Sequence, residues 1–306
     1  MPAVVLGWPS RAAGHAGVAE SFPGLASAWS YDPQLLVPLG LALLMYVAGL
    51  TRYWHRAGFG RGMPPAAAAA FAAGLLVLSL AFVWPLDVLG QWSLGAHMAQ
   101  HMLLLAVAAP LLLLGRPGVV WLKAMPALWV RPATWPLRAV KRRIGSGALT
   151  GPTTAMLLQA AVMWGWHVPA AMHVALTNDF VHYAMHVSFL GAGLLFWWTL
   201  LRSLRDKAAG FGGGAIALVG TMVQMGLLGA LLTFSPMPRY PWYFGRSAAL
   251  GLTPLEDQQL AGLIMWIPGG LPYLIGTLLL MTVWLRRSER YDVRNLRASR
   301  RLPGAE

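Results

Sequence analysis

The 306-residue chain contains no cysteine, which excludes structural disulfides, thiolate metal sites and dithiol redox chemistry. Any metal has to be held by imidazole, thioether, carboxylate or backbone. Charge is scarce too: 11% of the residues are Asp, Glu, Lys or Arg, against about a quarter in soluble proteins. Only 10 residues are acidic, and none falls in the middle of an apolar run, so the carboxylate relay of a proton or metal-ion transporter is missing. Nor is there an inverted repeat of the kind secondary transporters use. Residues 1–32 lack the basic start, apolar stretch and small-residue cleavage site of a secretory signal and read as an extracytoplasmic tail.

What remains is apolar. Hydrophobic residues make up 57% of the chain, in runs that match the roughly 20 residues needed to cross a ~30 Å hydrocarbon core. Spans are expected at 33–50, 65–84, 92–114, 152–176, 180–201, 214–234 and 257–285. Backbone facing lipid has to satisfy its own hydrogen bonds, which leaves helices or closed barrels, and these runs lack the alternation of barrel strands. The expected class is therefore all-α, an integral membrane bundle of seven transmembrane helices over 33–285, followed by a basic cytoplasmic tail at 286–306. Pro268-Gly269-Gly270 is expected to mark a kink, or the last span is expected to tilt.

The net charge of +13 has a distribution that explains it. With the N-terminus outside, 20 of the 23 basic residues fall in the inner segments 51–64, 115–151 and 202–213 and in the tail, leaving Arg11, Arg239 and Arg246 outside. This asymmetry orients the chain with its C-terminus cytoplasmic. It also assigns the cations to anionic membrane lipid and not to nucleic acid. Tryptophans agree, with Trp84, Trp92, Trp166 and Trp242 at outer ends and Trp54, Trp121, Trp197, Trp198 and Trp284 at inner ends.

Six of the eight histidines lie in the third, fourth and fifth expected spans. Chain direction converts their positions into depth: His97 and His101 begin a span that enters from outside, His167 and His173 end one that exits, and His182 and His186 begin the next. All six share the outer leaflet. His97 and His101, like His182 and His186, stand at i and i+4, which puts both rings on one helix face about 6 Å apart along the axis. His173 is six residues from His167, about 120° around the helix, with Pro169 between them, and is the weakest of the six as a ligand. A single such pair could be packing glue; two pairs and a further histidine at one depth favour a shared metal site.

Met98, Met102, Met163, Met172 and Met185 lie at similar depth, and Met163 is i−4 to His167. Methionines in apolar helices ordinarily fill gaps. Imidazole and thioether without thiolate nevertheless suit copper, as Cu(I) or Cu(II), ahead of zinc and well ahead of calcium or magnesium. Asp179, i−3 to His182, is a candidate to orient that ring or to cap its helix. Asp257, in Glu256-Asp257-Gln258-Gln259 at the outer start of the last span, reads as a helix cap or as an accessory metal group.

At these residues the chain resembles the CtaG family of polytopic cytochrome c oxidase (caa-type) assembly factors. The resemblance is carried by His97-Met-Ala-Gln-His101 running to Pro110 and Gly115-Arg-Pro117, by Trp166-His167-Val-Pro169, by His182 and His186 followed by Phe196-Trp197-Trp198, and by Asp257-Gln258-Gln259 with Gly262 and Trp266. It covers about 33–285 and places His97, His101, His167, His182, His186 and Asp257 on the family's motif positions, but not His173. It implies a bacterial inner-membrane protein without turnover chemistry that binds copper and assists its insertion into a haem–copper oxidase. The expected partners are cytochrome c oxidase subunits, with periplasmic copper chaperones among the candidates. Two other classes compete: a b-type haem protein for electron transfer, which needs single histidines opposed across a macrocycle, and a metal-ion or proton transporter.

Overall fold

The computed structural model describes residues 22, 24–126, 128–132, 134, 135, 151–204 and 210–299. Most of the expected N-terminal tail, and the cations Arg11, Arg138, Lys141, Arg142, Arg143, Arg205, Lys207, Arg300 and Arg301, lie outside the described residues. Regular structure among the described residues is helical throughout. Helix α1 spans Pro33–Ala57 and α2 Pro65–Phe82. Short α3 (Leu86–Trp92) precedes α4 (Leu94–Met102), a π turn (Leu103–Ala108) and α5 (Ala109–Leu114). Then come α6 (Pro117–Ala124), α7 (Pro152–His167), α8 (Pro169–Thr177), α9 (Asp179–Ser203), α10 (Gly210–Thr233) and α11 (Pro254–Ser299).

Local chemistry sets the boundaries. Asp32 accepts a hydrogen bond from the Gln34 amide at 2.8 Å and Pro33 occupies the first turn, which starts α1. That helix continues past the expected 50 to Ala57, with His55 and Arg56 in its last turn, where cations oppose the helix dipole favourably. Pro110 has no N–H for the carbonyl four residues before it, and the backbone widens into the π turn just upstream. The Leu105 carbonyl, inside that turn, accepts from Trp197 Nε1 of α9 at 3.0 Å.

Among the described residues, six helices are long and apolar enough to cross a membrane: Pro33–Ala57, Pro65–Trp92, Leu94–Leu114, Asp179–Ser203, Phe211–Thr233 and Pro254–Ser288. The remaining expected span, 152–176, is divided into α7, with 16 residues, and α8, with 9. Pro169 cannot donate to the helix ladder and disfavours helical backbone at the residue before it. Val168 is accordingly extended, with ψ 126°. The last expected span lies within one continuous α-helix, which passes through Pro268 and Pro272 and runs beyond 285 to Ser299.

The segment α4–π–α5 is the centre of the bundle. Of its apolar window 61% is buried within the protein, compared with 17% for peripheral α1. Helix α11 packs on α4 and α10, α9 packs on the π turn and α5, and α7 packs against both α9 and α10. Gly193 allows α9 to approach the π turn closely, because a Cβ there would stand 3.0 Å from the Leu105 Cα and carbonyl oxygen.

Candidate metal centre

Each histidine is fixed by a different device. Helix α4 begins at Ser93, whose hydroxyl accepts from the Ala96 amide at 3.1 Å. Its first turn is also held from another part of the chain. Asp257 of α11 is fully buried and accepts from the Ser93 hydroxyl at 2.5 Å, the Leu94 amide at 2.7 Å and the Gly95 amide at 3.0 Å. A carboxylate on the first amides of a helix satisfies donors that have no partner within the helix and complements the dipole. His97 and His101 follow within the next two turns. Gln100 between them donates to the Ala81 carbonyl of α2 at 2.8 Å, which fixes the rotation of α4.

His167 ends α7 where Pro169 breaks the helix. The carbonyl that the break leaves accepts from the Tyr240 hydroxyl at 2.8 Å. Tyr243, in the same loop between α10 and α11, donates to the Gly90 carbonyl at 3.0 Å. Burial pushes both phenols up from their ordinary range, and nearby Asp257 pushes Tyr243 further, so both stay protonated and donating. His182 and His186 lie in the first turns of α9, which starts at Asn178 with its side chain accepting from the Val181 amide at 3.1 Å. Tyr183 between them donates to Asp32 at the start of α1.

All five rings turn inward: His97 is 1% exposed, His101 0%, and His167, His182 and His186 no more than 5%. Ring centroids are 4.4 Å apart for His97 and His101, 4.5 Å for His182 and His186, and 5.4 Å for both His97 with His182 and His101 with His186. The His167 ring stands 6.3 Å from that of His101. His97, His182 and His186 each offer a nitrogen within 4.8 Å of the others, a group able to hold a metal ion. A tetrahedral ion with nitrogens at about 2.0 Å keeps them about 3.3 Å apart, which lies within that limit. His101 stacks on Phe189 at 4.2 Å, and neither of its ring nitrogens has a hydrogen-bond partner among the described residues. Buried polar atoms without partners are costly unless a ligand satisfies them.

The accessory residues separate. His173 is exposed on α8, away from the cluster. Met163 is buried next to His167, but it meets the ring through its backbone carbonyl, 2.6 Å from Nδ1. Asp179 stands in the first turn of α9, where the capping side chain is that of Asn178. Asp257, expected as a helix cap or an accessory metal group, accepts at the start of α4, from the Ser93 hydroxyl and the Leu94 and Gly95 amides, and so holds the helix that carries His97 and His101. Sequence reasoning missed Ser93, Gln100, Phe189 and Tyr240. Of these only Ser93, two residues before Gly95 at the head of an apolar run, carried a recognisable capping signal.

A family model for cytochrome c oxidase caa3 assembly factors (Caa3_CtaG) matches residues 44–287. Uncharacterized proteins of Mycobacterium bovis and Mycobacterium tuberculosis are each 25% identical over 275 residues, covering 86% of this chain and 40% of theirs. One of Mycobacterium leprae is 25% identical over 286 residues, covering 87% of this chain and 41% of its own. The chain thus spans about two fifths of the length of these curated relatives. No solved structure matches it.

Proposed function

The chain belongs to the family of cytochrome c oxidase caa3 assembly factors, and from that premise we propose that it carries copper as cargo in the histidine cluster and delivers it during assembly of a haem–copper oxidase. The observation that carries this reading is the convergence of five buried imidazoles from α4, α7 and α9. The donor set fits the metal: nitrogens grouped within 4.8 Å, a fully buried His101 whose two nitrogens have no partner among the described residues, thioethers alongside and no thiolate in the chain. Zinc is the second candidate for the same nitrogens. With its carboxylate engaged by α4, Asp257 supplies position only. The role is binding and transfer, without turnover chemistry, and the partners are oxidase subunits, with a periplasmic copper chaperone as the donor.

The protein sits in the bacterial inner membrane with its N-terminus outside and its C-terminus inside. The support is the bias of 20 in 23 basic residues toward one set of loops. That orientation needs seven crossings, so α7 and α8 together make the fourth. Their 25 residues would span about 37 Å at 1.5 Å each if colinear, and α7 alone about 24 Å. Helix α7 is flanked by α9 and α10, both candidate spans. The histidines then lie toward the periplasmic side, from which the cargo arrives.

Elemental analysis of protein purified from copper-replete cells tests this reading. Wild-type protein should contain copper and His101→Ala should lose most of it, while His173→Ala, altered at an exposed position, should keep it. All three should be present in the membrane in equal amount. Oxidase activity should fall in the His101→Ala strain and partly recover with added copper, because mass action compensates a weakened site. Copper-free wild-type protein, or full copper in His101→Ala, would overturn the proposal. A Soret band in the purified protein would put haem-mediated electron transfer in its place.

A further inference from the structure

The two nitrogens of His167 are not equivalent. Nδ1 lies 2.6 Å from the Met163 carbonyl, and a carbonyl only accepts, so Nδ1 carries the proton and Nε2 the lone pair. The Nε2 lone pair is aimed at the thioether sulfur of Met98, 3.0 Å away, and Met98 has no exposed surface. Two electron-pair donors held face to face gain little from each other. Both gain from one soft acceptor between or beside them. His101, one turn beyond Met98 on α4, completes the neighbourhood with two buried nitrogens that have no partner among the described residues.

The geometry points to a second, softer subsite made by His101, His167 and Met98, adjoining the all-nitrogen triad of His97, His182 and His186 and selecting Cu(I). The inference rests on the copper reading above and names the oxidation state of the cargo. Three imidazoles accept Zn(II) and Cu(II) readily, whereas a thioether shifts preference toward Cu(I). The spacing is compatible with ligation, since bonds of about 2.0 Å to nitrogen and 2.3 Å to sulfur would subtend about 90° at an ion for atoms 3.0 Å apart. Other methionines here do different work. Met102 fits against Gly269 of α11, where a Cβ would stand 2.7 Å from its sulfur, and Met163 supplies a carbonyl. Met98 presents its sulfur to an imidazole nitrogen. His101 borders both subsites, its ring centroid 4.4 Å from that of His97 and 6.3 Å from that of His167.

The test uses purified full-length protein titrated with Cu(I) or Zn(II) against chelators of known affinity, together with copper-edge X-ray absorption. Cu(I)-loaded wild-type protein should show a sulfur scatterer at about 2.3 Å, absent from Met98→Leu. That substitution nearly conserves volume and should weaken Cu(I) binding by about tenfold or more, leaving Zn(II) affinity unchanged as a report that the triad is still folded. Met102→Leu should alter neither affinity. In selenomethionine-labelled protein the sulfur shell should be replaced by selenium. Cu(I) bound without a sulfur or selenium neighbour, or with equal affinity in Met98→Leu, overturns the subsite and leaves the copper reading standing. Equal loss of Cu(I) and Zn(II) affinity makes Met98 a packing residue and also overturns it. Wild-type protein that binds no copper overturns both.

Discussion

Asp257→Asn removes one negative charge and little volume from a fully buried side chain. The carboxylate takes three donors, from the Ser93 hydroxyl and the Leu94 and Gly95 amides. An amide in its place keeps one acceptor oxygen and turns an NH2 group toward at least one of them. Hydrogen bonds to a charged group contribute about 1.5–3 kcal/mol, and neutral ones about half that. Losing one and weakening the others comes to about 3 kcal/mol, or roughly a hundredfold in the opening equilibrium of the first turn of α4. Hydrogen exchange of the peptide containing Leu94 and Gly95, in detergent or nanodiscs, should therefore accelerate by up to about a hundredfold, while exchange within α10 stays as it was. Copper retention should fall as well, because His97 lies directly downstream of the loosened turn. Unchanged exchange at Leu94 and Gly95 would refute the clamp and leave apolar packing as what seats α4.

Impermeant thiol labelling of intact cells distinguishes seven crossings from six. Single cysteines at Phe180 and Ala249, both exposed, should react, and one at exposed Ala57 should be protected; protection at Phe180 or Ala249 would show that α7 and α8 do not cross. Gly193→Ala should destabilise the bundle by about 1–3 kcal/mol, read as a lower unfolding temperature in detergent, because the added methyl meets the Leu105 backbone at 3.0 Å; an unchanged midpoint would mean that α9 and the π turn are free to move apart.

The helices were legible because apolar runs of membrane length leave the backbone few alternatives. The facing of the histidines was legible because i, i+4 spacing fixes azimuth. The same arithmetic set His173 apart, and the structure leaves it exposed on α8. The division of 152–176 was only half visible. Pro169 announces a break, but whether the helix bends or ends depends on what takes the freed carbonyl, and here that is the Tyr240 hydroxyl, 73 residues further on. Pro268 and Pro272 show the converse, since α-helix continues through both.

The role of Asp257 illustrates what one-dimensional reasoning loses and what it could have kept. A carboxylate at the outer start of a span reads first as the cap of its own helix. Yet the sequence contains a better cap. Thr253 and Glu256 form the reciprocal pattern in which Glu256 accepts from the Thr253 amide at 2.8 Å and the Thr253 hydroxyl accepts from the Glu256 amide at 3.3 Å. With that position filled, the neighbouring carboxylate is left to face inward, where burial requires donors of its own. The first amides of α4, 162 and 163 residues away, supply them. The histidine cluster is accordingly less a property of three helices than of the segments that immobilise them. Asp257 seats α4, Tyr240 takes the carbonyl at the end of α7, and Asp32 ties α9 to α1 through Tyr183. Spacing along one helix can identify which imidazoles share a face, but the distance between faces is set by these contacts, and it is that distance that decides whether five rings become one site.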